Sequence, residues 1–439
     1  SKGENTKLKI LEAGIDMAED NLEGALELVD NGIANANAEG IKNLRQFKIL
    51  MLRASQRNEE VEAELQALIK AYPDDDGFLL ALAQLYAVED RIDEAEQTYR
   101  QYIDKAPDDV ERRITFAQFV GAQDGPERAE ETLQAFIEEL PDETVLQLAL
   151  GQLYETIDSK DEALVVYENI VAMDPVSTDG LKARNRIAII KLQQDKPEEA
   201  RTMAESIIVA KPDDPDALLM RAAFSFSDRN YDDAVTDLRT VIRVKPESER
   251  ALLLLARSHR AAGNPELAQD AYRRLLDLNR ANSGAATELA ELLAKGGDVE
   301  QAQEVLRNQL EVEPGNLQAQ SNLIQTLLLE GDIEGAENEA RNMLAEGDDT
   351  GLAEFELGRV MQAKRSNQEA IEAYKAALEK NPNAPQPLQG LIGTLVSDDR
   401  IDEAVEYLQA HLASNPTQIT PRLLLGAIYS REDRTDEAI

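Results

Sequence analysis

The chain has 439 residues with no cysteine and no tryptophan, and 85 acidic residues outweigh 46 basic ones for a formal net charge of -39. That sign excludes a polyanion partner, because nucleic-acid affinity rests on cations that displace counterions. Without cysteine there are no disulfides, thiolate nucleophiles or cysteine metal sites, and no stretch approaches the ~18 consecutive apolar residues of a membrane span.

The acid excess reads first as a solvated face that keeps a long molecule soluble, and the missing thiols lean towards an oxidising compartment. Ser1-Lys2-Gly3-Glu4 opens the sequence without an apolar signal core, so any leader or lipid anchor would lie outside the numbered residues.

Residues 1–73 predict divergent helical pairs. Asp20-Asn21-Leu22-Glu23-Gly24-Ala25 matches the turn and second helix of the unit that recurs later, whereas Val61 stands where the next unit would place alanine. From 74 to 418 the chain is regular. Ala95, Ala129, Ala163, Ala200, Ala234, Ala268, Ala302, Ala336, Ala370 and Ala404 recur in one local context, and every step is 34 residues except one of 37. A proline ladder runs twelve residues out of phase, from Pro73 through Pro107, Pro141, Pro175, Pro212, Pro246, Pro314 and Pro382 to Pro416, with Arg280 and Asp348 where two more would fall. Both ladders lengthen between Pro175 and Pro212, so one three-residue insertion accounts for both. A fixed period of this length means a repeat array rather than a globular active-site domain.

Each period reads as two amphipathic helices. In the segment from Asp213 to Pro246, Ala217, Leu218 and Ala222 mark the first helix, Asp228-Arg229-Asn230-Tyr231 the turn, and Ala234, Leu238, Val241 and Ile242 the second. Spacings of three and four place one apolar stripe on each helix. Asp232 and Asp233 complement the dipole at the start of the second helix, and proline ends it. The ladder alanine lets the two helices approach closely, and a small residue recurs opposite it in the first helix, as in Ala83, Gly151, Ala222 and Gly358.

The full pattern is a large apolar residue, a small one, an aromatic, alanine, a second aromatic and proline. It is met best by Leu150-Gly151, Tyr154, Ala163, Tyr167 and Pro175. Arg221 departs from it at the large position, and Ile324 and Ile392 at the small one. With these residues the chain resembles the tetratricopeptide repeat proteins. The resemblance implies an all-α fold, a right-handed α-solenoid superhelix of stacked helix-turn-helix units, with the first helices lining a concave groove for a peptide or protein segment. Twelve whole repeats and part of a thirteenth are expected. Residues 419–439 form an incomplete terminal repeat whose last rung is Ala438, so the natural chain is expected to continue, or that end to be covered by a partner or a second copy.

Catalysis finds no constellation. His259 and His411 are far apart in sequence and fall at packing positions, which makes no acid/base pair. Asp74-Asp75-Asp76 and Asp108-Asp109 sit at repeat junctions and predict helix N-caps, since the spaced calcium-loop pattern is missing. No phosphate-cradling loop or nucleophile elbow appears. The chain is therefore read as a non-enzyme without catalytic, cofactor or metal site.

Binding residues follow from helical offset. Arg250, Leu253, Arg257 and Arg260 share one face of a first helix, and they lie in an electrical anomaly: Leu181 to Arg280 carries a net +2 while the other 339 residues carry -41. Lys182, Asn185 and Arg186 are assigned the equivalent face two repeats earlier, and Leu219, Ala223 and Phe226 form an apolar floor between. This predicts capture of an acidic, partly apolar segment through arginine hydrogen bonds and a hydrophobic anchor; the competing reading has the arginines neutralise acidic repeats of the same array. Gln84, Gln118 and Gln152 repeat one inner position, where amides pair with an extended backbone or with each other. The expected function is a protein-binding scaffold. Long acidic arrays of this style resemble bacterial envelope and exopolysaccharide-assembly proteins, often lipoproteins, which suggests the periplasm or envelope, with the cytoplasm as alternative. A recognition arm of an enzyme whose catalytic domain lies outside the chain is the other functional class, and self-association through the uncapped end is a third.

Overall fold

The computed structural model describes residues 2–432 apart from 20 and 415. Among them are 25 α-helices and no strand. The chain divides into two compact units, residues 1–210 and 211–439, and the division falls inside the regular array. The first unit holds α1 (Lys2–Ala18), α2 (Leu22–Asn35), α3 (Ala38–Ala54), α4 (Asn58–Ala71), α5 (Gly77–Val88), α6 (Ile92–Lys105), α7 (Val110–Asp124), α8 (Pro126–Glu139), α9 (Thr144–Thr156), α10 (Lys160–Met173), α11 (Thr178–Gln193) and α12 (Pro197–Ala210). The second holds α13 (Pro215–Ser227), α14 (Tyr231–Val244), α15 (Glu249–Ala261), α16 (Pro265–Leu278), α17 (Ser283–Gly296), α18 (Val299–Val312), α19 (Leu317–Glu330), α20 (Ile333–Glu346), α21 (Leu352–Ala363), α22 (Asn367–Lys380), α23 (Pro385–Ser397), α24 (Ile401–Ser414) and α25 (Thr420–Arg431).

Each unit is an all-α solenoid. Paired helices pack against each other, and first helices also meet the next first helix, α7 with α9 in one unit and α17 with α19 in the other. Twelve pairs and a single first helix, α25, match the expected count; Asp436–Ile439 and Ala438 lie outside the described residues.

The ladder alanines mark where the paired helices close. Ala95, Ala163, Ala200, Ala234, Ala268, Ala302, Ala336, Ala370 and Ala404 have no solvent exposure. The small residue of the first helix is dictated by the residue four beyond the alanine. A Cβ on Gly151 would sit 2.5 Å from the Tyr167 ring, and one on Gly358 2.5 Å from the Tyr374 ring, well inside contact distance. In the repeat where Ile324 replaces the small residue, the partner position holds Ala340, and both are fully buried. Bulk has changed sides while the filling of the core is kept.

Local signals fix the ends. Asp214, Ser248, Asn282 and Asn316, two residues beyond each proline position, accept a hydrogen bond from the backbone N–H of Ala217, Ala251, Ala285 and Ala319, which satisfies an orphan donor of the new helix. Asp348, which stands in place of a proline, is buried and caps α21 itself, accepting from Ala353 N–H at 2.9 Å and Thr350 N–H at 2.7 Å. Asp109 caps α7 as expected. Asp76 holds the cap position of α5 without a side-chain cap bond, because its carboxylate binds Arg112 at 2.9 Å; Asp75 pairs with Lys42 at 2.6 Å.

A third ladder was hidden in the sequence. The residue five before nine of the ten alanines turns the chain through left-handed φ: Asp90, Asp158, Asp195, Arg229, Gly263, Gly297, Gly331, Arg365 and Asp399; before Ala129 the positive φ falls one residue later, on Gly125. The insertion is equally local. α9 and α13 each have 13 residues and α11 has 16, so all three extra residues lengthen one first helix.

Candidate protein-binding faces of the first helices

In the first unit, Tyr167 on α10 donates its hydroxyl to Glu155 of α9 at 2.6 Å, and the Arg186 guanidinium of α11 holds the same carboxylate through Nε at 2.8 Å and Nη2 at 2.5 Å. In the second unit the charges trade places. Tyr272 on α16 donates to Glu288 of α17 at 2.6 Å, and Arg257 of α15 reaches that carboxylate at 2.5 Å, with Arg260 at 3.4 Å. Desolvation opposes the Glu288 charge, but hydrogen bonds from Arg257 and Tyr272 outweigh it and hold the carboxyl below its ordinary value. The Arg257 guanidinium is pushed up, chiefly by its bond to Glu288. Each cluster ties one repeat to the next.

The residues singled out in the sequence therefore separate. Lys182 is exposed and bonds to Asp179 at 3.0 Å. Asn185 was expected on the open face and is instead buried, 5% exposed. Counted from the ladder alanine Ala200, Asn185 matches Leu253, but counted from Pro175 it matches the buried Gly151 and Ala256; the three residues inserted in α11, about 60° short of a full turn, separate the two counts. Arg186 spends its guanidinium on Glu155. In the second unit Leu219 and Phe226 are half-buried, and the Phe226 ring leans on Tyr231 at 5.6 Å. Arg250 is exposed and has no carboxylate partner among the described residues. Arg257 and Arg260 remain 43% and 41% exposed around Glu288.

His259 is 5% exposed and its imidazole is held below its ordinary value by burial and by Arg239. His411 accepts or donates at 3.0 Å to Gln418.

What the sequence did not reveal are two clefts. One, of about 480 Å³, opens between α7 and α9 over Leu133, with Gln118 and Gln152 at its edge. The other, of about 270 Å³, opens between α17 and α19 over Leu306, with Glu291 and Gln325 at its edge. In repeat register Leu133 corresponds to Leu306, Gln118 to Glu291 and Gln152 to Gln325. A partial signal was available: both leucines stand four residues past a ladder alanine, where Tyr99, Tyr167, Tyr272 and Tyr374 stand in other repeats, although Leu238 and Leu408 hold the same position.

Profiles described as tetratricopeptide repeat match residues 52–117, 185–237, 226–286, 287–351 and 362–428, more than half the chain. The chain belongs to the tetratricopeptide repeat family. No curated protein matches it. Among solved structures, these repeats are similar to the APC/C hetero-tetramer Cut9-Hcn1, at 14% identity over 96% of this chain and 89% of that one, with a TM-score of 0.36. They are also similar to pilF of Pseudomonas aeruginosa, at 18% identity over 47% of this chain and 95% of that one, TM-score 0.35. A tetratricopeptide repeat protein from Parabacteroides merdae ATCC 43184 aligns at 15% identity over 57% of this chain and 98% of that one, TM-score 0.38. Tetratricopeptide repeats are in general scaffolds for protein–protein interaction, and this chain carries them along most of its length.

Proposed function

We propose that the chain is a non-catalytic scaffold that holds protein segments against the first helices of its repeats. The observation that carries this reading is the pair of clefts over Leu133 and Leu306, open at the same repeat position on first-helix faces of separate units. Four other repeats fill that position with a buried tyrosine, Tyr99, Tyr167, Tyr272 and Tyr374. In the second unit, the α15 face adds a cationic option. Arg250, Arg257 and Arg260 offer donors to an acidic segment, and Leu219 and Phe226 supply apolar contact on α13. Lys182 and Arg186 extend the same chemistry to α11 in the first unit. A place in envelope or exopolysaccharide assembly rests on resemblance of style, and no geometry in either unit favours it.

The test is site-specific photo-crosslinking in the native host. A photoreactive residue at Gln118, Arg250 or Gln325, all on first helices, is expected to trap partner proteins. The same residue at Glu131, Asp270 or Glu304, exposed on second helices, is expected to trap few. Equal or inverted yields overturn the reading.

A further inference from the structure

Four repeats carry tyrosine four residues beyond the ladder alanine, and the rings of Tyr99, Tyr167, Tyr272 and Tyr374 are almost fully buried. The place such a ring takes is visible at Tyr374: it would collide with a Cβ on Gly358 of its own first helix and with one on Gly390 of the next. An aromatic ring thus fills the gap between two successive first helices. At Leu133 the side chain stops short of that gap, and the cleft of about 480 Å³ is what remains. Its floor is apolar, with Ala117, Ala149 and Leu153, and its edge carries the amides of Gln118 and Gln152.

The surroundings state the sign of what would enter. From Asp108 to Met173, the two repeats that frame the cleft, there are 16 acidic and 4 basic residues. All four cations are already committed, Arg112 to Asp76 at 2.9 Å, Arg113 to Glu139 at 2.7 Å, Arg128 to Glu131 at 3.1 Å and Lys160 to Asp158 at 2.6 Å. A segment that brings positive charge is attracted over a Debye length before contact.

We propose that the cleft over Leu133 is a socket for an aromatic side chain carried by a basic segment of a partner protein. The ring takes the position that tyrosine takes from within in sister repeats. The two glutamines are placed to hydrogen-bond the backbone on either side of it, and flanking Lys or Arg meets the acidic repeats. The inference rests on the scaffold reading above and names the ligand chemistry of one of its sites.

The full chain with ¹³C-labelled leucine and isoleucine methyls is titrated with the peptide acetyl-Lys-Arg-Tyr-Arg-Lys-amide and with its leucine counterpart. Saturable shifts are expected at Leu133, Leu153 and Ile157, with the tyrosine peptide binding at least about tenfold more tightly than the leucine one, and with affinity falling as salt rises. Leu133→Tyr is expected to close the socket and abolish these shifts. Its neighbour Ala117 permits the change, because Tyr99 and Tyr272 already face Ala83 and Ala256 in the same register. Ala149→Phe, which fills the cleft from the other helix, is the second variant, and circular dichroism checks that both fold. Equal affinity for the two peptides, or wild-type binding by both variants, overturns the socket. Trapping of a protein at Gln118 without the aromatic preference sinks the socket and leaves the scaffold. Peptide binding at Leu133 with no protein trapped on any first helix supports the socket and removes the scaffold.

Discussion

Arg221 on α13 grips both carboxylate oxygens of Asp237 on α14 at 2.7 Å each. Arg221 stands where other repeats have a large apolar residue such as Leu150 or Leu255, and Asp237 where they have Val166 or Ala271. The two departures form one ion pair in place of one apolar contact. Arg221→Leu alone leaves the 7%-exposed Asp237 without its partner and is expected to destabilise the α13–α14 pair by about 1–2 kcal/mol, with the half-exposed arginine and solvent screening keeping the figure low. Adding Asp237→Val is expected to restore stability to at least the wild-type level. Hydrogen exchange of the α13 and α14 amides reads both, and a double variant no better than the single one contradicts the coupling.

Tyr374 and Gly358 make a second reciprocal pair. Gly358→Ile is expected to cost about 1–3 kcal/mol through overpacking against the ring. Combining it with Tyr374→Ala reproduces the Ile324 and Ala340 arrangement one repeat earlier and is expected to recover most of that loss. Denaturant unfolding followed by tyrosine fluorescence and circular dichroism checks the pair.

Arg229 and Arg365 occupy the turn position that Gly263, Gly297 and Gly331 occupy elsewhere, with φ of 64° in both. A side chain there carries left-handed strain that glycine avoids. Arg229→Gly is expected to stabilise the turn by about 0.5–1 kcal/mol, the relief of left-handed strain less the entropy that glycine loses on folding, read as slower exchange of the α14 N-terminal amides. A faster rate would mean that the arginine side chain contributes more than the strain costs.

Glu356 and Glu288 respond to pH in opposite senses. Glu356, 1% exposed, accepts from Ser321 at 2.7 Å and pairs with Arg359 at 2.9 Å, yet desolvation dominates and raises its pKa above 4.5. The folded state then holds its proton longer than the unfolded chain, so stability falls as pH rises from 4.5 through the raised value. Glu288 is held below 4.5, so its contribution is present above that pH and is lost on acidification through the lowered value. Glu356→Gln is expected to raise stability at neutral pH and leave it nearly unchanged in acid. Glu288→Gln is expected to lower it at neutral pH and matter little in acid. Denaturant midpoints across the acid-to-neutral range decide both.

Periodicity made the helix pairs legible, because close approach at Ala163 or Ala234 and chain reversal near Pro175 or Pro246 impose residue types directly. It could not disclose Glu155–Arg186 or Glu288–Arg257, whose partners lie 31 residues apart on neighbouring repeats. Those clusters read as surface charge until the fold brings them together. The left-handed turn escaped because Asp, Arg and Gly all occupy it, united by backbone angle rather than by chemistry. The clefts escaped for a related reason: Leu133 and Leu306 look like ordinary core leucines, and only the tyrosines of other repeats show what they leave unfilled.

The lengthened α11 bears on how such an array can change by duplication. Units of 34 residues can be gained, lost or exchanged as whole blocks on either side of it without altering the phase of any helix. A crossover that joins the start of α11 to the end of another first helix would instead carry or delete three residues and turn every downstream side chain of that helix by about 60°. Selection for a filled core would reject most such recombinants, so α11 is expected to be passed on as a whole, with viable junctions falling outside it.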